Sequence, residues 1–144
     1  GGVIMFKENT LRNVALGVVR KDNKILVEKG YDKVKETEFY RCIGGGIEVF
    51  ETPMLALQRE FKEELNVDIT IGRQLPILDS KFVYNGKEGH EIVFNFEVEI
   101  PKKQLKDKYV ITDNGITSYA EWIDIEEFKS GNKTIYPEGT VNFL

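Results

Sequence analysis

The chain has 144 residues, 41% hydrophobic and 31% charged, the size and balance of one soluble globular domain with enough apolar material for a core. A net charge of −4 gives no general attraction for nucleic acid or a membrane surface. The single cysteine, Cys42, excludes an internal disulfide framework and suits a reducing compartment such as the cytoplasm.

No apolar run approaches the ~20 residues that span a bilayer, and no charged-then-apolar leader opens the chain. Residues 1–10 read as a tag remnant or a flexible N-terminus, with Met5 a candidate native start, and 1–144 as a single domain. Val14–Val19 has the apolar density of a largely buried strand. The turn Lys21-Asp22-Asn23-Lys24 leads into a second strand, Ile25–Glu28, so the two predict a hairpin. Gly30–Glu38 is polar and reads as a surface loop. Phe39–Ile43 is a short strand feeding Gly44-Gly45-Gly46, where missing side chains permit close backbone approach to a ligand. Cys42 within that strand reads as a small buried apolar residue.

Thr52 then offers an N-cap and Pro53 suits the first helical position. Met54, Leu57, Phe61 and Leu65 recur at helical spacing as one apolar stripe. Asn66 tolerates the left-handed backbone angles that end a helix, so the spacing predicts a helix over Pro53–Leu65. Glu60, Glu63 and Glu64 lie three and four residues apart, on one face beside the stripe. Like charges at this spacing repel by roughly 0.2–0.5 kcal/mol per pair. The helix dipole disfavours exposed negative charge near the C-terminus by about 0.3–1 kcal/mol each. Ala56 falls in the same arc and leaves room for something bulky. Clustered carboxylate oxygens suit Mg²⁺ or Mn²⁺, and a divalent ion would reverse the sign of these penalties.

Beyond the helix, Val67–Ile71 and Ile77–Tyr84 read as strands. Asn85-Gly86 signals a turn, which Lys87-Glu88-Gly89 lengthens beyond a two-residue loop. In the next strand Ile92, Phe94, Phe96, Val98 and Ile100 alternate with Glu91, Val93, Asn95, Glu97 and Glu99, as in a half-buried strand. Pro101 stops it. Lys102–Asn114, with lysines at 102, 103, 106 and 108, reads as a solvated excursion. Asn114-Gly115 turns the chain into a last strand, Thr117–Ile123, and Asp124–Phe128 begins a short helix.

Gly45, Glu51 and the run Arg59-Glu60-Phe61-Lys62-Glu63-Glu64-Leu65-Asn66-Val67 resemble the Nudix box of the Nudix hydrolases. That pattern is Gly-x5-Glu-x7-Arg-Glu-U-x-Glu-Glu-x-Gly-U, with U a bulky aliphatic residue. Every charged position matches. Asn66 replaces the last glycine and keeps its left-handed option, and Phe61 replaces an aliphatic and keeps its apolar role. The resemblance implies an α/β (α+β) fold, a Nudix-like α/β/α sandwich with a central mixed β-sheet. It also implies metal-dependent hydrolysis of the pyrophosphate linkage in a nucleoside diphosphate derivative: a nucleoside triphosphate, a nucleotide sugar or a dinucleoside polyphosphate.

Position by position, the resemblance makes Glu60, Glu63 and Glu64 the catalytic, metal-binding acids, with Glu64 the foremost ligand and Glu60 a ligand or the base for the attacking water. The carbonyl of Gly45 completes the coordination of Mg²⁺ or Mn²⁺, and Glu51 with Arg59 forms a supporting ion pair. Family members usually draw a further acid from outside the box, for which Glu91, Glu97, Glu99 and Glu121 are the candidates. Arg41, Tyr84, His90 and Glu91 are candidate substrate contacts, and Phe82 is a further ring for stacking. The expected partner is a small-molecule nucleotide, with neither membrane nor nucleic acid, and the protein a monomer or homodimer. The competing reading is a non-catalytic Nudix-like nucleotide-binding or sensor domain. Retention of all the box glutamates favours the enzyme.

Overall fold

The computed structural model describes residues 9–113 and 115–144. The expectations for Gly1-Gly2 and Met5, and for Asn114 in its turn, fall outside the described residues. The elements are β1 (Leu11–Lys21), β2 (Lys24–Asp32), β3 (Thr37–Gly46), α1 (Pro53–Leu65), β4 (Thr70–Gln74), β5 (Leu78–Tyr84), β6 (Lys87–Glu99), β7 (Lys108–Asp113), β8 (Ile116–Asp124), α2 (Ile125–Lys129) and β9 (Ile135–Tyr136). Two 3₁₀ turns, Lys102–Gln104 and Thr140–Phe143, complete the set.

The strands form one mixed sheet in the order β4-β6-β1-β3-β2-β8-β7, with β5 also on β6 and β9 on β3. Most neighbours are antiparallel, but β1 runs parallel to β6 from Leu11–His90 to Val19–Val98. Helix α1 covers one face: Leu57, Phe61 and Leu65 pack with Ala15, Ile43, Phe96, Val98 and Ala120. The other face buries Val14, Leu16, Val18, Ile25, Tyr40 and Val93 with Ile125 and Phe128 of α2. The layers are those of the expected sandwich.

The helix obeys its local signals. Thr52 Oγ1 accepts the Leu55 N–H at 3.2 Å, and Asn66 closes the helix at φ 55°, ψ 44°, its N–H donating to Lys62 O at 3.0 Å. The stripe departs from expectation at its start. Met54 is exposed, because the first turn precedes the sheet contact. Ala56 is fully buried instead of leaving an open arc.

Several segments expected to be loops are strand. Gly30–Glu38 is mostly the ends of β2 and β3, whose backbone pairing runs on to Asp32–Thr37 through alternating polar residues that an apolar search overlooks. Lys102–Asn114 contains β7, held by pairing with β8 from Lys108–Glu121 to Asp113–Ile116. The strand after the helix begins at Thr70 rather than Val67. Asn85-Gly86 is a two-residue hairpin loop after all: Tyr84 pairs with Lys87, and both turn residues take positive φ, 51° and 79°.

Along its first half, β6 buries the face expected to meet solvent and leaves Ile92 and Phe94 half-buried. Val93 and Asn95 are fully buried and Glu91 is 3% exposed, because the face reserved for solvent is covered by the α2-side core. Cys42 is buried in that core, and burial pushes its thiol up to about 12.

Two strands change partners along their length, and this shapes the site. β3 pairs with β2 over Thr37–Cys42, then with β1 over Ile43–Gly46. β6 carries β5 on its first half and β4 on its second. The hairpins β2–β3 and β5–β6 therefore belong to different halves of the sheet and face each other across a cavity.

Candidate active site

The loop before α1 is fixed from the glycines outward. At Gly44 the backbone takes φ 154°, and a Cβ there would lie 1.9 Å from Ala15 O. At Gly46 a Cβ would lie 2.9 Å from Arg12 Nη2. The close approach that requires Gly44 is made by the chain's own backbone, whereas over Gly46 lies only the end of a flexible side chain. Gly45 is buried and pairs with Ala15.

Arg59 ties this loop to the helix. Its Nε donates to Glu51 Oε2 at 2.7 Å and its Nη2 to Glu51 Oε1 at 2.9 Å, a bidentate pair. The same Nη2 donates to Gly46 O at 3.0 Å, and Glu51 Oε1 also accepts the Glu48 N–H at 2.9 Å. Those bonds, Arg59 first, hold the Glu51 carboxyl down at about 2. Glu51 in turn raises the Arg59 guanidinium further above its usual range.

The three box acids divide. Glu60 is 5% exposed and bonded to Glu64, and its Oε1 accepts from Arg59 Nη1 at 3.1 Å. The Glu63 side chain is 59% exposed, with Oε2 3.3 Å from the same Arg59 Nη1. Burial pushes the Glu64 carboxyl up to about 9, and the bond to Glu60 and the charge of Glu28 add to the rise. Burial works to raise Glu60 as well, but the shared hydrogen bond and Arg59 hold it below the usual carboxylate range. The two carboxyls are thus hydrogen-bonded to each other, Glu64 held above and Glu60 below the usual carboxylate range.

Glu28 is an acid that the sequence did not single out. It ends an apolar run, as an exposed residue would, yet it is 7% exposed, and Ser118 Oγ donates to its Oε2 at 2.5 Å. It stands opposite Arg41 on β3 and Ala120 on β8. Strand register brings it there, and a single sequence carries no signal of register.

Among the acids proposed from outside the box, Glu97 pairs with Arg20 at 3.1 Å and Glu99 is exposed. Glu91 is different. It is buried between two cations, with Oε1 2.9 Å from Arg41 Nη2 and Oε2 3.4 Å from Arg12 Nη1. Arg12, also unforeseen, joins the regions: it lies over Gly46, bonds Glu91, and sits in the field of Glu60.

Arg41, Glu91, Tyr84 and Phe82 line a cavity of about 210 Å³ between the two hairpins, together with Phe39 and Tyr136. The Phe39 ring meets Tyr84 and Tyr136 edge-on at 5.7 and 5.6 Å. Among the described residues, Arg41 Nε is buried without a hydrogen-bond partner. His90 is not brought there. It sits outside this cavity with Nε2 2.6 Å from Asp79 Oδ1.

A family model for the NUDIX domain matches residues 10–140. The chain belongs to the Nudix family. Solved Nudix structures share its fold. A NUDIX hydrolase from Nitrosomonas europaea superposes with a TM-score of 0.61 at 18% identity, over 90% of this chain and 82% of that one. An ADP-ribose pyrophosphatase from Streptococcus suis gives 0.60 at 14%, over 92% and 86%. A NUDIX-family hydrolase from Clostridium perfringens gives 0.58 at 16%, over 93% of each chain. No curated protein matches in sequence. This Nudix hydrolase therefore has an α+β fold with a mixed sheet, and no helix among its described residues is long and apolar enough to cross a membrane.

The donor set bears on the metal that Nudix hydrolases generally use. Among the described residues, no three His, Cys, Asp or Glu side chains are grouped at metal-ligand spacing. Glu60 and Glu64 converge, while Glu63 is turned to Arg59. The pair nevertheless fits a hard divalent cation. Its donors are carboxylate oxygens, and burial forces one of them to hold a proton that a cation would replace.

Proposed function

We propose that this Nudix hydrolase cleaves the pyrophosphate linkage of a nucleoside diphosphate derivative, with Mg²⁺ or Mn²⁺ held by Glu60 and Glu64. The observation that carries the reading is the convergence of two carboxyls, buried Glu60 and half-buried Glu64, bonded to each other beside the Arg59–Glu51 pair. Without an anionic substrate and a counter-cation, burying them is only a cost.

When bound, the divalent ion supplies polarisation of a phosphoryl oxygen and a lowered pKa for the attacking water. The chain's own groups supply the rest. Arg59 orients Glu60 through a 3.1 Å bond and is itself anchored by Glu51, so the acid's position is set before substrate arrives. Glu60, the lower-pKa member, is the carboxylate able to accept a proton from water. Arg12 places positive charge beside Glu60, where it can offset charge on a bound diphosphate. On the nucleoside side, the partnerless Arg41 Nε–H offers a donor to a base or sugar oxygen. Phe39, Tyr84 and Tyr136 give an aromatic wall for the base. The Gly45 carbonyl stands as a further ligand, and Glu63 as another only if it leaves Arg59.

The test is product release across a panel of nucleoside triphosphates, nucleotide sugars and dinucleoside polyphosphates, with Mg²⁺, Mn²⁺ or chelator. Cleavage at the pyrophosphate that chelator abolishes is expected. Equal turnover in chelator overturns the metal assignment, and no cleavage of any panel member overturns the substrate class.

A further inference from the structure

The two hairpins that wall the cavity are joined at their tips, far in sequence from the box. Asp32, at the end of β2, is 3% exposed although charged. Its Oδ1 accepts the N–H of Val34 and of Lys35, both at 2.9 Å, which folds its own hairpin turn. Its Oδ2 crosses to the other hairpin and accepts the Asn85 N–H at 3.2 Å. Asn85 returns the contact: its Oδ1 accepts the Lys33 N–H at 2.8 Å. Lys35 Nζ donates to Val83 O at 2.8 Å, and the Tyr84 hydroxyl to Tyr31 O at 3.4 Å. The backbone donors at Asp32 hold its carboxyl below the usual range, so the bond is made by an ion over the neutral pH range.

The sheet alone does not account for this arrangement. The hairpins are built on different halves of the sheet, so strand pairing does not fix the gap between their tips. Asp32, Lys35 and Thr37 line the cavity from one side, and Ser80 to Tyr84 line it from the other. The gap that a base must fit is therefore set where the tips meet.

We propose that the paired tip contacts, Asp32 with the Asn85 N–H and the Asn85 side chain with the Lys33 N–H, form a clasp that needs both halves to hold the cavity at substrate width, making Asp32 and Asn85 positioning residues for the nucleoside. The inference rests on the reading of that cavity as the nucleoside site. A clasped cavity binds without first having to close. In an unclasped one, only a fraction of molecules have the competent width, and apparent affinity falls by that fraction. Once substrate is bound, both forms present it alike to Glu60 and Glu64. The clasp therefore acts on KM and leaves kcat alone.

Asn85→Gly tests this without straining the turn. Asn85 sits at φ 51°, which glycine adopts freely, and the substitution deletes only the side-chain acceptor. The expected result, on the best substrate of the panel, is KM raised roughly five- to tenfold with kcat within about twofold. Asn85→Asp keeps the acceptor and the left-handed backbone, and should return KM most of the way to the wild-type value. Thermal melts check that each variant is folded at the assay temperature. KM unchanged in Asn85→Gly overturns the clasp, as does a fall in kcat comparable to the rise in KM. Arg41→Gln, measured alongside, separates the two levels. If it raises KM and Asn85→Gly does not, the clasp alone fails. If neither does, the cavity is not the nucleoside site.

Discussion

The loop-helix segment and the cavity meet at Arg12 but are built in opposite ways. The first is local: Gly44 to Asn66 is continuous chain, and the Arg59 hydrogen bonds and ion pairs that tie it together link residues at most 13 apart, as in the bond from Arg59 to the Gly46 carbonyl. The second is assembled from β2, β3, β5, β6 and β9, with Arg41 and Glu91 50 residues apart and the tip contacts 48 to 53 apart. A local, over-determined segment suits chemistry that must not vary in geometry. A wall made of separate hairpin tips suits recognition, because either tip can change without disturbing the acids.

The contrast sets an order of expected effects. Gly44→Ala should be the most damaging, since its Cβ would overlap Ala15 O and the φ of 154° is strained for alanine. A loss of about 3 kcal/mol or more, or failure to fold, is expected in chemical denaturation. A stable Gly44→Ala variant would mean the loop is less determined than its contacts imply. Glu51→Gln should come next, lowering kcat about tenfold by releasing Arg59 from the loop, with KM for the nucleoside little changed. Arg41→Gln should invert that pattern, raising KM about tenfold and sparing kcat. Steady-state kinetics on the same substrate compares the two directly, and identical patterns would erase the division between regions.

A smaller effect concerns pH. In metal-free protein Glu64 titrates near 9, against 4.5 for the unperturbed group. A raised carboxyl stabilises the fold fully below its unfolded pKa, and that contribution is lost as pH rises through the folded one. Metal-free Tm should therefore fall between about pH 5 and 9, by several degrees. Excess Mg²⁺ should flatten the slope, as should Glu64→Gln, which carries no proton to lose. Melts across that range check it. The smallest change is expected for Glu63→Gln: the side chain is mostly exposed and bonded to Arg59, so turnover should fall less than for either neighbour.

The same contrast explains what one sequence discloses. The helix over Pro53–Leu65, its Thr52 and Asn66 caps and the Glu51–Arg59 spacing were legible, because helical periodicity and fixed spacing are local properties. Met54 misled, since periodicity gives a face but not where the sheet begins to cover it. Glu91 was one of several equivalent acids in an alternating strand. Only the parallel register with β1 and the reach of Arg41 distinguish it. Glu28, Arg12, Asp32 and Asn85 gave less still. Each looks like an ordinary polar residue at a strand end or turn, and each owes its place to a partner 50 or more residues away, or to register.

The central claim is that Glu60 and Glu64 form one unit that holds a divalent ion, in place of the proton that burial favours on Glu64, and so enables hydrolysis. Glu64→Gln tests it most directly, assayed for turnover with Mg²⁺ and for Mn²⁺ binding by electron paramagnetic resonance. The account predicts turnover reduced on the order of 10²–10³-fold, weakened Mn²⁺ binding, and a metal-free Tm at pH 7 equal to wild type or slightly higher. Wild-type turnover in a folded Glu64→Gln protein would contradict it.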